Sequence, residues 1–293
     1  MRQEIWLKKH TGSLRGKTVA VTGATGGLGL HICTAVAALE GDLLLIGRSR
    51  EKCEALRREL LHTFPQARIR YLLADLTRMD TVRTLCDSLT RIPPDILVLN
   101  AGAYQIPRDG DGFDPIFEIN FLAHYYMVRR LLPLLSRRHT RVLCMGSIAH
   151  RYSKTDPEDV DFSTRQKCSL VYGNAKRMLM FSLDALMEDH PEIPFVIAHP
   201  GITLTAMSAH HPPRLFALMK PFMKVLFPSP RTAARSMILG MFLDVPPRHW
   251  LGPGLFSIWG PPRIRPLTGC SEEERRGIAA RAEALYCRIR AEE

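Results

Sequence analysis

No run of apolar residues in this chain approaches the ~18–20 that a membrane-spanning helix needs, so no such span is expected. No Gly/Ser-rich linker, internal repeat or low-complexity tract divides the 293 residues, which therefore read as one domain. Cysteine is sparse and unpaired in pattern. Cys33, Cys53, Cys86, Cys144, Cys168, Cys270 and Cys287 are odd in number and include no C-x-x-C motif. They read as reduced thiols packed like small apolar groups, and no metal site is expected. Met1 to Gly12 has no apolar h-region, which argues against a secretory signal and for a cytoplasmic setting. Acidic residues are the minority charge, 29 against 40 Lys and Arg, giving a net charge of +11. The basic residues are spread along the chain, and no helix-turn-helix, RNP or zinc pattern accompanies them. A nucleic-acid partner is therefore not expected.

The chain does contain alternation. Short, nearly continuous apolar runs at Thr18–Thr22, Asp42–Ile46, Arg68–Leu73, Ile96–Leu99, Arg141–Met145 and Phe195–Ala198 suit strands covered on both faces. Amphipathic stretches separate them: Leu28–Leu39, Arg50–His62, Met79–Thr90, Phe117–Ser136 and Val171–Glu188. Strands alternating with helices predict right-handed crossovers and an α/β doubly wound parallel sheet, the Rossmann fold. After Pro200 the pattern changes: proline and methionine become common, and a last amphipathic helix is expected over Ser271–Arg290. Residues 17–200 thus read as the core. Residues 201–293 read as an extension on the substrate side.

The first strand runs into Thr22-Gly23-Ala24-Thr25-Gly26-Gly27-Leu28-Gly29, and a helix follows. Glycines allow a sharp turn and close approach of a pyrophosphate. The helix start offers free N–H groups and a partial positive charge to that anion. A Gly-rich turn alone is weak evidence, but its place between strand and helix is the required context.

The spacing T-G-x-x-x-G-x-G resembles that of the short-chain dehydrogenase/reductase family, and further motifs follow in the family's order. Asp75-Leu76 follows strand three, where the family holds the adenine. Asn100-Ala101-Gly102 follows strand four and resembles the N-A-G element beside the cofactor. Asn120 in Asn120-Phe121-Leu122-Ala123-His124 and Ser147 in Ser147-Ile148-Ala149-His150 resemble stretches of the retinol-dehydrogenase-like subgroup. Tyr172-Gly173-Asn174-Ala175-Lys176 is similar to the Y-x-x-x-K element, and Pro200-Gly201 with Thr205 falls where the family meets the nicotinamide. Two departures stand out. Ala175 replaces the usual Ser before the Lys, and Gly146 stands where the subgroup often has a second Ser.

The resemblance implies a catalytic tetrad of Ser147, Tyr172, Lys176 and Asn120. Thr22, Gly23, Thr25, Gly27, Leu28, Gly29, Arg48, Asp75, Leu76, Asn100, Ala101, Gly102, Tyr172, Lys176, Pro200, Gly201 and Thr205 would touch the cofactor. The residue types suit carbonyl reduction, which needs a hydride on carbon and a proton on oxygen. Tyrosine ordinarily titrates near pH 10, and a nearby cation favours its phenolate. Lys176, four residues on, shares a helical face with Tyr172, and together with the positive nicotinamide ring it is expected to pull the Tyr172 pKa toward the working range. By resemblance, Lys176 also holds the nicotinamide ribose, Ser147 binds the substrate oxygen, and Asn120 supports a proton relay. His124 and His150 read as packing residues or as residues that support the site from behind. The flanks of Ser147 lack the G-x-S-x-G of a hydrolase elbow.

No acid stands at positions 46–50, where an NAD enzyme accepts the adenosine ribose hydroxyls. Arg48 is there instead, with Ser49, Arg50 and Lys52 as further donors. A guanidinium suits a 2′-phosphate, so NADP(H) is the expected cofactor. On the substrate side, Leu215–Phe227 is rich in large apolar groups. Three roles fit it: a lid over a lipophilic substrate pocket, a peripheral membrane contact, or core. A small lipophilic carbonyl or alcohol is the expected substrate. Homodimerisation stays open, and so does a catalytically idle, NADP-binding regulatory role.

Overall fold

The computed structural model describes residues 2–108, 112–165, 167–202 and 228–293. The expected strands form as β1 (Thr18–Thr22), β2 (Asp42–Gly47), β3 (Ile69–Leu73), β4 (Ile96–Leu99), β5 (Arg141–Met145) and β6 (Phe195–Ala198). Two more, β7 (His249–Leu255) and β8 (Trp259–Pro266), extend the sheet to the order β3-β2-β1-β4-β5-β6-β7-β8. All neighbours pair in parallel except β7 with β8. The chain reverses its direction of progress between β1 and β4. In such sheets that reversal opens a crevice at the carboxyl ends of the strands.

Successive strand residues point to opposite faces, and the core divides accordingly. Val19, Val21, Leu43, Leu45 and Val98 pack with Ile32, Val36, Leu56, Leu60 and Met237. These come from α2 (Gly27–Ala38), α3 (Arg50–Thr63) and a short helix at Arg235–Gly240. Ala20, Leu44, Ile46, Leu97 and Leu99 face the other way, onto Val82, Phe121, Tyr126, Leu179, Ile278 and Leu285. The elements on that face are α4 (Met79–Arg91), α6 (Ala123–Arg138), α7 (Cys168–Glu188) and a C-terminal helix at Glu272–Ala291. Helix α1 (Arg2–His10) adds Leu7 to the first face. No described helix is long and apolar enough to cross a membrane.

The C-terminal helix has clear local causes. The Ser271 hydroxyl accepts from the Glu274 N–H, three glutamates fill the first turn, and Arg288 and Arg290 stand in the last. Arg275 ties it to α7 through Glu188 at 2.6 Å and Asp184 at 3.5 Å. Strands β7 and β8 have no such local signal: Pro253, Pro261, Pro262 and Pro266 interrupt them. Proline survives in β8 because it is the sheet's edge, where a missing N–H costs little.

Candidate active site

The carboxyl ends of β1 to β6 deliver the expected site residues to one edge of the sheet. Gly23 adopts φ +62°, and a Cβ there would meet the Ala101 Cα at 2.9 Å. A Cβ on Gly29 would stand 2.2 Å from the Gly23 carbonyl oxygen. Only glycines allow this backbone to fold so tightly against itself. Helix α2 begins after Gly26 without a side-chain cap, so its first N–H groups point outward from the turn with Thr25, Gly27 and Leu28.

Thr22 organises the next layer. Its Oγ1 accepts from the Asn100 N–H at 2.9 Å and the Ala101 N–H at 3.0 Å. The Asn100 amide donates to the Thr22 carbonyl at 2.8 Å and the Gly23 carbonyl at 3.3 Å. The β4 loop is thereby fastened to the β1 turn. His124 Nε2 lies 3.2 Å from the same Oγ1, and burial pushes the imidazole down to about 3, so it is neutral. The packing role read for His124 thus has a polar component: it completes the hydroxyl that holds this junction.

Asn120 sits in a π-helical turn, Glu118–Leu122, between the short helix α5 (Pro115–Phe117) and α6. Such turns widen a helix locally and re-aim a side chain. Its amide donates to the Ala103 carbonyl at 2.6 Å and the Ile116 carbonyl at 2.8 Å, while its Oδ1 is buried with no partner among the described residues. A Cβ on Gly102 would lie 2.6 Å from that Oδ1 and 3.8 Å from Lys176 Nζ, so these three groups converge.

Ser147 caps a 3-10 turn after β5, its Oγ accepting from the Ala149 N–H at 3.2 Å. The Ser147 side chain lies close enough to the Tyr172 phenol to favour its ionised form. Lys176 is 2% exposed, donates to the Met145 carbonyl at 3.1 Å, and lies 5.9 Å from the Tyr172 ring centroid. Burial pushes Lys176 down to about 8. Burial pushes Tyr172 up to about 12, partly offset by the Ser147 hydroxyl. The reason is distance and orientation. Lys176 spends its ammonium on a carbonyl, while the apolar surroundings penalise the phenolate.

On the adenosine side, Arg48 is exposed directly after β2, with no hydrogen bond or ion pair among the described residues. Two of the expected extra donors are otherwise engaged. Ser49 caps α3, accepting from the Lys52 N–H at 3.2 Å, and Arg50 donates to the Tyr71 hydroxyl at 3.1 Å. Asp75 binds Thr77 through Oδ1, from the hydroxyl at 2.8 Å and the N–H at 3.1 Å, and Leu76 is buried. Pro200-Gly201 follows β6, while Thr205 and Leu215–Phe227 lie outside the described residues. A cavity of about 240 Å3 near Pro200, Pro253 and Trp259 is lined by none of the four candidate catalytic residues.

Residues that the motifs did not point to also contribute. The Met180 sulfur accepts from the Ser147 N–H at 3.4 Å. The Arg177 side chain, 3% exposed, donates to the His150 carbonyl at 2.9 Å and pairs with Glu274 on the C-terminal helix. His150 links the Ser147 carbonyl, 2.6 Å from Nδ1, to the Thr268 carbonyl, 3.0 Å from Nε2. A basic residue directly after Lys176 on an otherwise apolar helix was the available signal for Arg177.

A Gly-lined turn after β1, a buried Lys176 beside Tyr172 and Ser147, and a sheet reversing at β1/β4 are the features of a Rossmann-type nucleotide-binding fold. The sequence matches the family model described as short chain dehydrogenase over residues 17–214, and the chain belongs to that family. It is similar to retinol dehydrogenase 13 of Mus musculus, 27% identical over 76% of this chain and 70% of the relative. It is also similar to retinol dehydrogenase 14 of the same organism, 29% identical over 68% of this chain and 65% of the relative. Its fold resembles that of a short-chain dehydrogenase from Sphingobium yanoikuyae in complex with NADPH. The TM-score is 0.58 and the identity 20%, over 77% of this chain and 84% of that one. The chain is therefore an oxidoreductase that uses a nicotinamide cofactor.

Proposed function

We propose that the protein interconverts a carbonyl and an alcohol on a lipophilic substrate with NADP(H), and that Tyr172 moves the proton. The observation that carries this reading is the convergence of the Ser147–Tyr172 hydroxyl pair with buried Lys176 and the orphan Oδ1 of Asn120. The glycine cradle and the uncapped start of α2 fit a pyrophosphate. When bound, the cofactor supplies the hydride and, in its oxidised form, a positively charged ring.

The chain's own residues do the rest. At neutral pH Tyr172 holds its proton and can give it to the substrate oxygen during reduction. Ser147 donates to that oxygen as charge develops there. Lys176, with a pKa near working pH, suits a group that gains and loses a proton each cycle. Asn120 Oδ1 would accept from a water leading from Lys176 toward solvent. Arg48 is the group for the 2′-phosphate, with Ser49 and Arg50 otherwise engaged. Residues 1–293 would act as one domain, with 201–293 supplying the substrate side and Thr205 meeting the cofactor. The protein would work in the cytoplasm.

Titration of NADPH and NADH by fluorescence, followed by turnover over aldehydes and ketones, tests the reading. NADPH should bind at least about tenfold more tightly, ~1.4 kcal/mol, and Arg48→Ala should erase the difference. Tyr172→Phe should retain NADPH binding and lose most turnover. Equal affinities, or more than a tenth of wild-type turnover in Tyr172→Phe, would refute the assignment concerned.

A further inference from the structure

The turn that carries Ser147 is held by two buried polar side chains that take no part in the chemistry described above. The His150 ring is fully buried. Phe181 on α7 and Trp250 on β7 box it edge-on, with ring centroids 5.7 and 5.6 Å away. Its two nitrogens both face carbonyl oxygens, Nδ1 that of Ser147 at 2.6 Å and Nε2 that of Thr268 at 3.0 Å. A carbonyl only accepts, and a neutral imidazole has one N–H to give. Burial pushes the His150 pKa down from 6.5, so the ring is neutral at pH 7. Its single proton belongs to the shorter contact, Nδ1–H to the Ser147 carbonyl.

Arg177 secures the other end of this turn. Its side chain is 3% exposed. The guanidinium donates to the His150 carbonyl at 2.9 Å, to the Gly269 carbonyl at 2.7 Å and to both oxygens of the Glu274 carboxylate. Gly269 directly follows Thr268, so both side chains end on one short stretch ahead of the C-terminal helix. Arg177 also belongs to α7, the helix that carries Tyr172 and Lys176. The Ser147 turn, the Tyr172 helix and the start of the C-terminal helix are thereby fastened to one another.

Space-filling alone does not call for these groups. An apolar ring at 150 and an apolar chain at 177 would pack without taking a polar group out of water. What the imidazole and the guanidinium add is direction. Two hydroxyls that serve one substrate oxygen must hold their separation, since a misplacement of about 1 Å can cost about 100-fold in rate. We infer that His150 and Arg177 are positioning residues: His150 holds the Ser147 backbone by its carbonyl, and Arg177 holds the His150 backbone to the Tyr172 helix, so that the Ser147 and Tyr172 hydroxyls meet the same substrate oxygen. This inference rests on the reading of those two hydroxyls as the groups that act on the substrate.

The test separates the two ring nitrogens. In His150→Asn the side-chain N–H stands near the place of Nδ1 and still reaches the Ser147 carbonyl. In His150→Gln it stands near Nε2 and reaches Thr268 instead, and His150→Leu has neither bond. Each variant is assayed with NADPH and the carbonyl compound that the wild type reduces fastest. His150→Leu and His150→Gln are expected to lower kcat at least about tenfold, with KM and NADPH affinity within about twofold of wild type. His150→Asn should recover kcat to within about threefold. Arg177→Lys, whose point charge cannot serve three acceptors in one plane, should lower kcat in the same way. Urea denaturation gives the stability of each variant. Hydrogen exchange of the peptide Gly146–Tyr152 reads the turn without any turnover: it should rise in His150→Leu and His150→Gln and stay near wild type in His150→Asn. Should His150→Leu fail to fold, the Asn and Gln variants still decide. Equal kcat in those two, rescue by Gln instead of Asn, or a kcat that merely follows stability overturns the positioning role. If the wild type reduces no carbonyl compound but exchange keeps the expected order, the hold on Ser147 stands and the hydride-transfer reading falls.

Discussion

Replacing Thr22 by Val removes one oxygen and keeps the shape of the side chain, yet it should cost the protein a substantial share of its stability. The Thr22 Oγ1 is the acceptor given to the buried Ala101 N–H, at 3.0 Å, and the polar contact of the fully buried His124 Nε2, at 3.2 Å. The Asn100 N–H is less dependent on it, because it also reaches the Val98 carbonyl at 3.1 Å. A buried donor left without an acceptor costs about 1–3 kcal/mol, and the lost histidine contact adds about 1, so the variant should lose roughly 2–4 kcal/mol. That is large against a total stability of about 5–15 kcal/mol for a typical domain. Thr22→Ser keeps the hydroxyl and loses one methyl group, worth about 0.8 kcal/mol. Urea denaturation of the three proteins measures the difference. A Thr22→Val protein within 0.5 kcal/mol of wild type would refute the account of Thr22 as the junction between the β1 turn and the β4 loop.

Four more outcomes are expected. Gly29→Ala, whose Cβ would stand 2.2 Å from a backbone oxygen, must open the pyrophosphate turn and should weaken NADPH binding at least about tenfold. Gly277→Ala, in open space on the C-terminal helix, should leave binding unchanged and gain about 0.5–1 kcal/mol of stability. With burial holding Lys176 near 8, kcat/KM for reduction should be level below that pH and fall above it as the ammonium is lost. A flat profile from pH 7.5 to 9.5 would exclude Lys176 as the group responsible. Burial also pushes His124 down to about 3 and His199 down to about 4, from 6.5. Between those values and 6.5 the unfolded chain holds more protons than the folded one, so stability is full above 6.5 and drains as pH falls toward 4. His199 alone accounts for roughly 3 kcal/mol by pH 4, at 1.36 kcal/mol per unit. Equal unfolding midpoints in urea at pH 7 and pH 4.5 would contradict it.

Chain order and local chemistry alone determined much of this protein. The six parallel strands, the glycine turn after β1 and the capped C-terminal helix follow from apolar runs, from glycines between strand and helix, and from Ser271 ahead of three glutamates. The candidate catalytic residues were legible because each belongs to a short motif at the end of an element. What lay beyond reach depended on contacts between distant segments. Strands β7 and β8 carry prolines that local propensity rejects, and they exist because β6 and a free sheet edge accept them. The π-helical turn that aims Asn120 is set by its fit against Ala103 and Ile116, which no periodicity encodes. Ser49 and Arg50 look equivalent to Arg48 in sequence, but the start of α3 and Tyr71 engage them, whereas Arg48 has no partner among the described residues. The upward shift of Tyr172 arises from how its surroundings enclose the phenol and from where Lys176 points. Spacing within a helix can bring two residues to one face, but only packing decides how much water reaches them and which partner each one finds.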